Sequence, residues 1–131
     1  MKNPKSLILI VAVSLLIGGL HFVLGPGYEG WFRPFVTGYL MDLLLPMDVY
    51  LLSQVALRKH YPLARSRWYG ALGTLAMGIA VEFLQFKGVP LFGSTYDPLD
   101  LLMYALGVGL GLGIDLWLLA RWEGSETGGR A

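Results

Sequence analysis

Six acidic side chains stand where a chain of this composition has little room for charge. Asp42, Asp48, Glu82, Asp97, Asp100 and Asp115 fall within, or at the start of, long apolar runs, and none of the ten lysines and arginines does. An ionisable group at the centre of a bilayer costs roughly 2.5–3.5 kcal/mol on insertion scales. Acids in that setting with no base in their layer must carry a proton, stand in a hydrated cavity, or hold a cation or cationic ligand. Gln85 follows Glu82 by three residues and Tyr104 follows Asp100 by four, each about one helical turn. Covalent chemistry has no comparable basis. There is no cysteine, no G-x-S-x-G and no H-E-x-x-H. The two histidines make no zinc set, and the glycines at 107–113 do not form G-x-G-x-x-G after a strand. No cofactor is expected, and an enzyme is the least favoured class because no activated nucleophile or oxyanion hole is visible.

The elements that must position these acids are four apolar runs, residues 7–24, 35–57, 68–86 and 99–120. A bilayer core of about 30 Å needs roughly 20 residues of helix. Backbone groups in lipid must be satisfied within their own segment, so helices are expected. The fold class is therefore all-α: an integral membrane bundle of four transmembrane helices in one domain, residues 1–122, followed by a disordered polar tail at 123–131. The whole chain has 131 residues, 55% of them hydrophobic and 15% charged, where soluble domains carry about 25% charge. A net charge of +1 gives no surface for nucleic acid. Lys2 and Lys5 before the first run also fit a secretory signal, but the run is long for one and no A-x-A cleavage site follows.

Lysine and arginine set the expected orientation. Lys2, Lys5, Arg58, Lys59, Arg65, Arg67, Arg121 and Arg130 fall on one side, with Arg33 and Lys87 on the other. That places both termini in the cytoplasm of a bacterial cell, with the chain in the inner membrane and membrane lipid as its first partner. Trp31, Phe32, Phe86 and Phe92 then mark the outer interface, and Tyr61, Trp68, Tyr69, Trp117 and Trp122 the inner one. Asp42, about 10 Å inside a span that starts at Phe35, shares the outer half with Glu82, Asp97 and Asp100. Asp48 lies nearer the midplane. Asp115 lies near the inner face, where Arg121 can snorkel toward it.

Spacing indicates faces. Gly70, Thr74, Gly78 and Glu82 recur every four residues, and Asp100, Tyr104, Gly107 and Gly111 form a similar stripe. Small stripes let helices approach closely. The simplest assembly is a tight hairpin of the third and fourth spans with Glu82, Gln85, Asp100 and Tyr104 at its outer end. Gly107 and Gly111 also offer a face to a second copy or a partner membrane protein. Pro46 cannot donate to the Asp42 carbonyl, so the second span either simply kinks there or lines a site. Asp97 and Pro98 also read as a helix cap and first helical residue, with Asp100 near the positive helix end. Glu82 has no such structural reason, since it stands late in its helix. The candidate ligand-binding set is Asp42, Glu82, Gln85, Asp97, Asp100 and Tyr104, with His21 near it.

Residues 70–115 resemble the VanZ-like family of small bacterial membrane proteins. Glu82-Phe83-Leu84-Gln85 matches the family's E-x-x-Q, Asp97 and Asp100 its acid pair, and Gly107 and Gly111 its spaced glycines. Ser94 stands at the family's Arg position and Tyr104 at its Asn position, which makes the acid cluster here more anionic. The resemblance implies a role in the cell envelope or in tolerance of glycopeptide antibiotics such as teicoplanin. Two other classes remain open on the residues: a cation- or proton-coupled carrier using Glu82 and Asp48, and a non-catalytic assembly subunit whose acids meet a partner's Arg or Lys.

Overall fold

The structure, a computed structural model, describes residues 2–23, 27–90 and 97–127. Several sequence expectations lie outside these residues: Phe92 at the outer interface, Ser94, and the tail at 128–131. The described residues form α1 (Pro4–Val23), α2 (Arg33–Gly38), α3 (Leu40–His60), α4 (Leu63–Phe86), α5 (Pro98–Ile114), a π-helical turn (Asp115–Leu119) and α6 (Ala120–Thr127), with no strand among them. Four helical stretches are long and apolar enough to cross a membrane: α1, α3, α4, and the continuous run Pro98–Gly124, with mean hydropathies of 2.5, 1.5, 1.3 and 1.8.

Local chemistry sets the ends. Asn3 caps α1, its side-chain oxygen accepting from the Lys5 N–H at 2.9 Å, and Pro4 needs no partner at the first position. Pro62 pushes Tyr61 into extended backbone, which stops α3 and lets α4 start. Gly88 takes a φ of 85° just beyond α4, a conformation open to glycine at little cost. Asp97 opens α5 as expected, accepting from the Leu99 N–H at 3.0 Å ahead of Pro98.

The bundle is organised around α3, which packs most extensively on α5 and also meets α4, α1 and α2. The expected hairpin of the third and fourth spans is present, with Gly78 of α4 against the Tyr104 ring of α5, but α5 packs more extensively on α3. The reason is where the glycines of α5 point. A Cβ on Gly107 would collide with the Leu43 carbonyl oxygen, and one on Gly111 would stand 2.9 Å from the Tyr50 ring and 3.1 Å from the Met47 carbonyl. The face offered to a second protein is therefore filled by α3 of the same chain. The α4 stripe is the buried face of that helix: Ser66, Gly70, Thr74, Gly78 and Glu82. Ile10, Ile17, Met47, Tyr50, Leu51, Val108 and Leu119 form the core. Large apolar side chains such as Leu15, Leu16, Met77, Ile79 and Trp117 cover the outside.

Three boundaries also differ from the sequence reading. The second apolar run breaks at Tyr39, so Asp42 lies in the first turn of α3, about 3 Å rather than 10 Å inside that helix. Arg58 belongs to α3, and Arg65 and Arg67 to α4, where the sequence reading has a loop. Residues 123–127, expected as tail, continue the last helix. The Glu123 carboxylate accepts from the backbone N–H groups of Lys2 and Asn3 at 3.0 and 3.2 Å, and Asn3 donates to the Trp122 carbonyl at 2.8 Å. The first and last helices are thus tied at one end of the bundle.

Candidate functional site

Polar groups gather at both ends of the bundle. At the acidic end, Asp97 accepts from the Tyr39 hydroxyl at 2.8 Å in addition to capping α5. That bond holds the Tyr39 hydroxyl above its ordinary pKa, because ionisation would place two anions together. Asp42 and Asp100 meet side chain to side chain. Each is the third residue of its helix, where the exposed N–H groups favour an anion. Two carboxyls that meet need a proton or a cation between them.

Glu82 completes the group from α4. It is only 3% exposed, and its Oε2 has no hydrogen-bond partner. Asp97 and Asp100 lie close to its carboxyl. The structure thus brings Asp42, Glu82, Asp97 and Asp100 together from three helices. Tyr104 lies beside them, its ring in contact with Gly78 and its hydroxyl within the field of Asp42, Glu82 and Asp100. Gln85 lies one turn beyond Glu82 and is half-buried. Tyr39 belongs to this group but escaped the sequence reading, because the break that frees it lies inside an unbroken apolar run.

Among the described residues no ion pair reaches these acids, and Lys87 instead lies 5.6 Å above the Phe83 ring. Nor do three His, Asp or Glu side chains among them form a set able to hold a metal ion. A cleft of about 560 Å³ adjoins the cluster, lined by Asp42 and Tyr104, by His21 and Ser14 of α1, and by Asp48 deeper along α3. Asp48 is held there by the Ser14 hydroxyl, which donates to it at 2.6 Å.

The basic end solves its charge differently. Asp115 is fully buried and is met by the Arg58 guanidinium, by the Arg67 Nε at 3.1 Å and by the Tyr50 hydroxyl at 2.8 Å. Arg121, the partner expected from sequence, instead stands over the Trp117 ring at 5.2 Å. Gln54 extends the network, accepting from Arg58 at 3.3 Å and donating to the Ser66 carbonyl at 3.0 Å. The sequence carries a signal for this cluster: Tyr50, Gln54 and Arg58 recur every four residues on one face of α3. The π-helical turn begins at Asp115 itself, and such turns alter the direction of side chains within a helix.

Compared with protein-family models, curated proteins and solved structures, the chain matches none of them.

Proposed function

We propose that this chain is a multi-pass protein of a bacterial inner membrane, with both termini cytoplasmic, that receives a cationic group at its acidic end. Asp42, Glu82, Asp97 and Asp100 supply the charge, and Gln85 and Tyr104 supply hydrogen bonds at the rim. The setting is the cell envelope, with tolerance of glycopeptide antibiotics as the phenotype that the VanZ-like resemblance implies. The observation that carries the reading is Glu82, a carboxyl 3% exposed with an unpartnered oxygen, beside three further acids that no ion pair reaches among the described residues. Intramembrane acids are costly and mark functional sites by default.

The test is teicoplanin susceptibility of a sensitive bacterium expressing the chain, wild type against Glu82→Gln at equal membrane abundance. Protection by the wild type that the variant loses is the expected result. Equal growth inhibition with and without the wild-type chain would remove the glycopeptide role.

The second reading is a proton- or cation-coupled carrier. It is favoured by one observation, the cleft that reaches from Asp42 to Asp48. It requires proton flux in reconstituted vesicles that Glu82→Gln abolishes.

A further inference from the structure

The basic end holds a second pocket, of about 460 Å³, with Arg58, Arg67 and Lys2 on its wall and Tyr61 and Leu63 beside them. Two guanidinium groups there share one carboxylate, Asp115. Glu123 also lines the pocket, but its oxygens are engaged by the backbone N–H groups of Lys2 and Asn3. The pocket is therefore left with an excess of positive charge.

The donors are also incompletely used. Arg58 spends its Nε on Gln54 and its Nη2 on Asp115, and Arg67 spends its Nε and Nη2 on Asp115. The Nη1 of each has no partner among the described residues. The side chains are 8% and 20% exposed, so both forks are fixed by the Asp115 network and only partly hydrated. Guanidinium forks held in this way suit the paired oxygens of a phosphate group. The pocket lies where all four apolar helices begin or end, and exposed Trp68 and Tyr69 flank that level, a position at which headgroups meet protein.

We propose that this pocket binds a phosphate group, with Arg58 and Arg67 as the forks and Lys2 as the third cation. The phosphate is carried by a phospholipid headgroup or is free in solution. This site is independent of the acidic one and of the function proposed for it, and needs only that the helices end at a membrane surface.

The test uses the full chain purified in an uncharged maltoside detergent. Native mass spectrometry counts retained phosphatidylglycerol against a galactosyl diacylglycerol, which has the same tails and no phosphate. A parallel melting series compares sodium phosphate with sodium chloride at equal ionic strength. Retention of phosphatidylglycerol but not the galactolipid, with no effect of inorganic phosphate, identifies the headgroup. Stabilisation by inorganic phosphate identifies the free ion. Arg67→Gln, which leaves Asp115 paired with Arg58 and Tyr50, should weaken either by about fivefold. Lys2→Gln, on an exposed side chain, gives the same direction should Arg67→Gln fail to fold. Arg121→Gln, a basic residue of the same end outside the pocket, should change nothing. Equal retention of both lipids without a phosphate effect would overturn the proposal, as would equal losses in Arg121→Gln and Arg67→Gln.

Discussion

One end of this bundle buries a carboxylate with more partners than it needs, and the other buries carboxyls with fewer. Asp115 has two guanidinium groups and a tyrosine hydroxyl, while Glu82, nearly as deeply buried, keeps an oxygen with no donor. Removing an ion from water costs several kcal/mol unless other charges and hydrogen bonds offset it. The basic end meets that cost from within the chain. The acidic end does not meet it with an ion pair among the described residues, which leaves a proton, water in the adjoining cleft or a cation to do so. On the function proposed above, the difference separates a network that holds helices together from a site for a cationic group, and it predicts opposite responses to the same kind of mutation.

The largest effect is expected at Asp115. Asp115→Ala leaves the half-buried Arg58 and Arg67 without their counter-charge; breaking a fully buried pair costs about 3–5 kcal/mol, and partial hydration of the two guanidinium groups places this variant toward the lower end of that range. The measure is the fraction of monodisperse protein surviving graded heating in detergent. A variant as heat-resistant as wild type would break the comparison at its stronger half. Next comes Gly107→Val, between the two ends. Its first added carbon collides with the Leu43 carbonyl, so α5 must move off α3, at a cost of about 1–3 kcal/mol for overpacking. Because α5 carries Asp100 near its start and leads into Asp115, the variant should loosen both ends. Hydrogen exchange confined to one end would show that the ends are less joined than their shared helix implies.

Much of this arrangement is legible in the sequence, and the failures have a common cause. The α4 stripe from Gly70 to Glu82 is the buried face because small residues at four-residue spacing have one use in a helix that is apolar all round. Asp97 and Pro98 start α5 because their backbone chemistry is local. The break at Tyr39 is not legible, since an apolar run in lipid gives no periodicity to interrupt. The preference of α5 for α3 over α4 is equally hidden. Gly107 says that something approaches closely, and cannot say which helix. The partners of Asp115 are hidden too, because Arg58 and Arg67 stand outside the apolar runs, and only the added length of α3 and α4 carries them inward.

Smaller effects sharpen the acidic half. Asp97→Ala removes the α5 cap and should cost about 1 kcal/mol, seen as a lower melting temperature with the Asp115 network intact. Tyr39→Phe removes only one of the bonds that Asp97 accepts, so its effect should be smaller still, and it should depend on pH. The Tyr39 hydroxyl ionises above its ordinary value in the folded chain. Its contribution is therefore fully present below the usual tyrosine range and lost as pH rises through the raised value. The stability gap between wild type and Tyr39→Phe should close in strongly alkaline buffer. A gap that persists there would mean that the hydroxyl bond to Asp97 contributes nothing.

The smallest effect decides most. Glu82→Gln keeps the shape of the side chain, removes a carboxyl that no ion pair among the described residues balances, and supplies an amide that can donate to the neighbouring acids. Its melting temperature should equal or exceed that of wild type, even though Glu82 is almost as buried as Asp115. Placed beside Asp115→Ala in the same heating series, it asks whether burial or pairing governs the response. Two buried carboxyls that fail alike would make the acidic end a second structural network, and the cation site would have to be sought elsewhere. A variant that is robust yet inactive would leave the charge on Glu82 with no role except toward a ligand.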